Sequence, residues 1–229
     1  MKVVVTGFQP FGKETMNPSF EAVRLLPDEI KGAQIVKKEI PVVFRKGGQT
    51  VQEIVRAEKP DIVILVGQAG GRTSMNVERV AINCEDCPTG FPDNEGNCPQ
   101  GEKIYEDGPD AYFATVPVKA MVKKMMDNGV PAAISNTAGT YVCNDLMYHL
   151  LYQLKHEFPN ARGGFIHVPY ATIQNHPNMA SMTIEEMSKG LALCIEAAIE
   201  NEHDITAAER HEAKITKNET LRTFLIISA

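Results

Sequence analysis

No stretch of this chain is long and apolar enough to cross a membrane: its longest apolar run, Ile62 to Val66, has the length of a buried strand. The opening Met1-Lys2, three valines, Thr6 and Gly7 fall short of the apolar core of an export signal. A basic block is also missing. With 23 Lys+Arg against 29 Asp+Glu and a net charge of −6, the chain lacks the electrostatic footprint of a nucleic-acid binder. There is no internal repeat and no low-complexity linker. Cysteine is scarce and odd in number, five in 229 residues, which without an export signal argues for free thiols or metal ligands over a disulfide framework. The expectation is a soluble, cytoplasmic protein with neither nucleic acid nor membrane as a partner. Its 43% hydrophobic content suffices for an ordinary buried core.

What is present alternates strand and helix. Lys2 to Gly7 reads as a β-branched strand ending in glycine, and Ser19 to Leu26 as a helix with Phe20, Val23 and Leu26 at helical spacing. Gln34 to Val43 reads as a strand, Gln49 to Lys59 as a helix, and Ile62 to Val66 as a strand buried on both faces. Val77 to Asn83, Ala132 to Ser135 and Gly164 to Val168 follow as strands, with helices over Val118 to Asp127, Asn144 to Glu157 and Thr183 to Asn201. This order predicts an α/β fold with a largely parallel sheet. The Cys84 to Asp110 stretch is rich in Pro, Gly, Asn and acids, and irregular segments of that length are usually functional or disordered. One domain is expected over residues 1–201. A tail of uncertain role follows over 202–229, helix-compatible from Glu202 to Arg222, with an apolar run from Phe224 to Ile227 suited to an edge strand or a partner.

Chemistry concentrates at "SNTAGTYVCND", Ser135 to Asp145, where a small-residue turn leads into a helix and Cys143 stands near its first residue. Unpaired N–H groups and the positive end of the helix dipole stabilise a thiolate there and lower a thiol pKa. Free cysteines are also common core fillers, so partners decide the reading. Of six histidines, His149 and His156 are six and thirteen residues beyond Cys143, which at about 100° per residue puts them on the opposite helix face. His203 and His211 fall in the polar tail, and His176 is a loop residue. His167, in "GGFIHVPY", ends the next strand, on the sheet edge expected for Cys143, and is the candidate base. Glu78 lies in the otherwise apolar "NVERVAIN"; burying its carboxylate is costly unless it is paired, and alternation sends Arg79 to the other face. It is the candidate orienting group for His167.

With these three in place the sequence resembles the type I pyroglutamyl peptidases, the C15 family of cysteine peptidases. The landmarks are "VTGFQPFG", "NPS", "GQAGGR", "ERVAIN", "PDNEG", "DGPDAYFATVPVK", "NTAGTYVCN" and "GFIHVPY", in order over residues 1–200. The resemblance implies a three-layer α/β/α sandwich, a homotetramer and no cofactor or metal. It implies removal of an N-terminal 5-oxoproline from peptides, with Cys143 as nucleophile, His167 as base and acid, and Glu78 as the orienting residue. It also implies that Phe8 and Phe11 flank the lactam ring and that Asn17 and Gln68 contribute polar contacts.

One departure stands out. Many members carry a shorter loop with an arginine after the glutamate, whereas this chain has "CEDCPTGF" and no basic residue from Val80 to Gly101. Cys84, Cys87 and Cys98 there leave open free thiols, a reversible disulfide or half of a zinc site, the last being the basis of a zinc or redox regulatory protein as a rival reading. A second rival is a nucleoside phosphorylase-like enzyme cradling phosphate on the Gly67 to Arg72 loop.

Overall fold

A computed structural model describes residues 1–206. Val3, Val4 and Val5 are buried on both faces of Lys2–Phe8 (β1), as a central parallel strand requires. Glu29–Ile30 (β2) and Ala33–Ile40 (β3) form an edge hairpin, Ile62–Gln68 (β4) a second central strand, and Met75–Glu78 (β5), Ala132–Ser135 (β6) and Arg162–Val168 (β7) complete the sheet. The seven strands run in the order β6-β5-β7-β4-β1-β3-β2.

Helices cover both faces. Pro18–Arg24 (α1), Val118–Asp127 (α3) and Ile184–Glu200 (α5) pack on the face carrying Val3, Val5, Ile62, Ile64 and Ile166. Lys46–Glu58 (α2) and Val142–Glu157 (α4) pack on the face carrying Val4, Val63, Leu65 and Phe165. The architecture is the expected α/β/α sandwich with a mixed sheet.

Two expectations about strands are corrected. Val77 to Asn83 is not one strand: β5 ends at Glu78, and Val80–Ile82 leaves the sheet to pair antiparallel with Ala111–Phe113. Arg79 marks the break, its N–H bonding Ser135 O while its own carbonyl accepts from Ala114 N. The sheet is largely parallel, as expected, and the second correction concerns the edge at which Cys143 arrives. β3, β1, β4 and β7 are mutually parallel, but β5 is antiparallel to β7, and β6 is parallel to β5. The end of β6 therefore points away from the edge where β7 ends, and Cys143 does not arrive there by a simple parallel crossover. The chain folds back between Asn136 and Tyr141, and Gly139 takes φ +79° in this turn.

Two buried polar side chains then fix the start of α4. Asn144 imitates a strand partner, accepting from Ile82 N at 2.9 Å and donating to the carbonyls of Ile82 at 2.9 Å and Cys84 at 3.0 Å. Asp145 accepts from Arg45 N at 3.0 Å. The cysteine of "VCND" thus precedes two anchors that lock its backbone to the loops on either side.

The long Cys84–Asp110 segment is ordered by Asp93, whose carboxylate accepts from the N–H groups of Phe44, Glu95 and Asn97 and from Asn97 Nδ2, each at 2.9 Å. Burial raises its pKa, and these bonds more than offset that, holding it below the ordinary value. Beyond α5, Asp204 accepts from Lys119 N and Ala120 N and so caps α3. The helix expected from Glu202 does not begin by Thr206, and the rest of that expectation, with the Phe224 to Ile227 strand, lies outside the described residues.

Close packing of α1 on β1 depends on one residue. A Cβ on Gly7 would sit 2.4 Å from Phe20 Cα and 2.5 Å from Phe20 N, backbone atoms that cannot rotate away. Gly7→Ala is expected to cost about 3 kcal/mol, the upper end for overpacking, as a lower urea midpoint at unchanged slope.

Candidate active site

Sheet register assembles the site. Glu78 pairs with Phe165 across β5 and β7, and directly opposed residues share a face, so His167, two residues on, projects beside Glu78. On its other side β7 pairs His167 with Gly67 of β4. A Cβ on Gly67 would lie 3.0 Å from Cys143 Sγ and 2.7 Å from Phe165 Cζ, which places the thiol on this same patch of sheet. The first glycine of "GQAGGR" leaves the space the sulfur occupies.

Glu78 is fully buried and doubly paired at one oxygen: His167 Nδ1 lies 2.7 Å and Arg72 Nη1 2.7 Å from Oε1. A carboxylate only accepts, so Nδ1 carries the proton and Nε2 keeps its lone pair. Arg72 also reaches Thr137 O at 3.5 Å, spanning from the β4 loop to the turn before Cys143. The sequence placed Arg72 only at the end of a candidate phosphate loop, not at Glu78; the available signal was a lone cation six residues before a glutamate that had to be buried.

Burial dominates the electrostatics. It pushes the Cys143 thiol up to about 12, with the Glu78 charge adding and Arg72 opposing. Burial also lowers His167 from its usual value, against the raising effect of its bond to Glu78. The expectation of a thiol lowered by the helix terminus is therefore corrected. Both shifts favour the uncharged forms, and among the described residues no hydrogen bond joins Cys143 to His167.

Aromatic rings extend from this point. Phe165 lies 4.8 Å from the His167 ring and 6.5 Å from that of Phe8, and half-buried Phe11 packs on the same cluster. Asn17 is not open to a ligand: its Oδ1 caps α1 through Ser19 N at 3.1 Å, and its Nδ2 donates to Gln9 O at 3.0 Å, which shapes the Phe8–Phe11 loop. Gln68 ends β4 and accepts from Gln174 at 3.2 Å. The acidic loop closes the other side, Asn94 donating to Pro10 O at 2.9 Å and Tyr141 to Pro92 O at 3.1 Å.

The rival constellations do not form. Arg72 is committed to Glu78, and Tyr170 fills the space over Gly70, where a Cβ would meet its ring at 2.2 Å, so the Gly67–Arg72 loop is no phosphate cradle. Cys84, Cys87 and Cys98 are free, and among the described residues they do not converge as a metal-binding set. Cys87 instead donates to Phe91 O at 2.8 Å.

A buried imidazole oriented by a carboxylate, beside a cysteine at a helix start on an α/β/α sandwich, is the arrangement of a cysteine peptidase. More narrowly, the chain belongs to the pyroglutamyl peptidase family, whose model matches residues 1–201. It is 53% identical over 211 residues to the pyrrolidone-carboxylate peptidase of Clostridium botulinum, covering 91% of this chain and 98% of that one. The pyrrolidone-carboxylate peptidase of Thermosipho africanus is 52% identical, over 89% of this chain and all of its own. Crystal pyroglutamyl peptidase I from Bacillus amyloliquefaciens superposes with a TM-score of 0.87 at 44% identity, covering 90% of this chain and 99% of that chain.

Arg72→Met leaves Glu78 buried and short of its cationic partner, and is expected to cost about 3–5 kcal/mol. Adding Glu78→Gln removes the stranded charge and should restore part of that stability in thermal melts, while activity stays low in both variants.

Proposed function

We infer that this chain is a cysteine-type pyroglutamyl peptidase that hydrolyses the bond after an N-terminal 5-oxoproline, with Cys143 as nucleophile, His167 as general base and acid, and Glu78 as the orienting carboxylate. The observation that carries the reading is the Cys143–His167–Glu78 constellation, found in a chain that matches this family over its whole described domain.

The steps use protein groups alone. His167 Nε2 takes the Cys143 proton as sulfur attacks the pyroglutamyl carbonyl carbon. The oxyanion forms near the first turn of α4, which opens at Tyr141 with no side-chain cap and so leaves backbone N–H donors available. Collapse breaks the C–N bond, and the imidazolium returns its proton to the leaving amine. Water then attacks the thioester with His167 again accepting a proton; the C–S bond breaks, the thiol is restored and pyroglutamate leaves as its carboxylate.

Glu78 holds Nδ1 protonated throughout and stabilises the imidazolium as it forms, while Arg72 keeps the carboxylate in place and its own charge opposes the imidazolium. The neutral resting pair limits unproductive reaction of the thiol until a substrate arrives.

Recognition follows from the ligand's chemistry. The lactam is small, flat and uncharged, with one N–H donor and one carbonyl acceptor, and it calls for apolar walls with few polar groups. Phe8 and Phe11 supply the walls, with Gln68 as a polar contact. Asn17 contributes by fixing their loop. The acidic loop takes the place of the arginine-bearing loop of other members, so the oxyanion relies on backbone donors here. The same reading includes a cytoplasmic homotetramer, supported by the family resemblance and by five free cysteines suited to a reducing compartment. Among the described residues no helix is long and apolar enough to cross a membrane.

A pyroglutamyl amide bearing a chromophore should be cleaved, and its prolyl analogue, lacking the lactam carbonyl, should not. Cys143→Ser should lower kcat by at least about 10³-fold; retention of full turnover would falsify the assignment. Because His167 is lowered, kcat/KM should fall on the acid side with a midpoint below about 6.5. A midpoint at or above the ordinary imidazole value would contradict the neutral resting pair.

A further inference from the structure

A second group of buried ionisable side chains lies outside the active site. Asp145 and His149, one turn apart on α4, meet Glu85 from the short ribbon Glu85–Asp86, and one ligand-type atom from each lies within 4.8 Å of the other two. Their exposures are 0%, 5% and 1%. Arg45 offsets part of the negative charge, its Nη2 3.0 Å from Glu85 Oε2 and 2.8 Å from Glu102. It does so from a left-handed backbone conformation, φ +60°, unusual for a residue with a side chain.

The atoms left over carry the argument. Asp145 Oδ1 and His149 Nε2 face each other at 3.2 Å, both are buried, and neither makes a hydrogen bond. Two ligand atoms each about 2.1 Å from one ion at a near-tetrahedral angle lie roughly 3.4 Å apart. The other polar atoms around this gap are held from outside. His149 Nδ1 lies 2.8 Å from Tyr105 Oη, which accepts from Gln52 Nε2 at 2.9 Å. Asp145 Oδ2 accepts from Arg45 N, and Glu85 is bound by the Arg45 guanidinium. Metal ligands are oriented by an outer layer of this kind. The His149 ring fits only because residue 48 is glycine, where a Cβ would lie 2.2 Å from Cδ2.

We propose that Glu85, Asp145 and His149 form a structural site for one divalent first-row transition ion, zinc by preference, which fixes the first two turns of α4 behind Cys143. One imidazole with two carboxylates favours zinc or manganese over calcium or magnesium. The ion touches no substrate and takes no part in the hydrolysis. Ligation needs deprotonated carboxylates and a neutral imidazole, so ion and proton compete for these groups.

The test is titration of zinc into chelator-treated full-length protein at about pH 8, with Cys143 alkylated so that its thiol cannot bind. Calorimetry should give one zinc per chain. At a hundredfold excess over Kd the melting temperature should rise by about 5–10 °C. His149→Gln should weaken binding at least tenfold. If that variant does not fold, cobalt in the native sequence decides: the site predicts visible d–d bands without a thiolate charge-transfer band. Absence of stoichiometric uptake overturns the proposal and leaves a proton in the gap. Uptake that survives His149→Gln, or a thiolate band, also overturns it and places the ion elsewhere in the protein.

Discussion

The buried carboxylate of Glu78 is the constraint around which the centre of this molecule is arranged. An ion removed from water must find charge and hydrogen bonds inside the fold, and Glu78 finds both at one oxygen, shared by Arg72 and His167. That sharing fixes the imidazole tautomer and ties the loop after β4 to the strand that ends in His167. Through Thr137 it also ties both to the turn before Cys143. The His167 imidazole is thus oriented by the same interaction that makes burial of the acid tolerable.

A second consequence concerns how the thiol arrives. Because β5 and β6 run against β4 and β7, the chain must double back before α4, and a turn of that kind needs anchoring. Asn144 and Asp145 provide it with hydrogen bonds to backbone atoms of two different loops. Gly67 leaves room for the sulfur and Gly70 for Tyr170, so two of the three glycines of "GQAGGR" are explained by side chains that pack on them, and Gly71 by its φ of +85°.

Much of this was legible in the sequence. Hydrophobic periodicity placed β6 and α3 at their observed limits, and the cost of burying a lone carboxylate singled out Glu78. Strand direction was not legible, since a hydrophobic alternation reads the same either way and only the partner sets polarity. The break at Arg79 was hidden for a similar reason: Val80–Ile82 keeps strand alternation but pairs with a different segment. Asn17 was expected at the substrate and is found capping α1, two uses of an amide that composition does not separate. Arg72 escaped because its role depends on a fold that brings a loop back over β5. The direction of the thiol shift was missed because position at a helix terminus is readable from sequence and depth of burial is not.

That last point is where the account commits itself most. With the Cys143 thiol pushed up by burial and His167 held down, both shifts favour a resting thiol and neutral imidazole, and in the proposed mechanism the thiolate forms only as the proton moves to Nε2. The rate of Cys143 alkylation by iodoacetamide, followed by mass spectrometry across pH, reads the ground-state thiolate directly. The account predicts slow modification that climbs steadily through the alkaline range, with no plateau below about pH 9. Rapid alkylation that stays constant down to about pH 5 would show a preformed thiolate–imidazolium pair and contradict it.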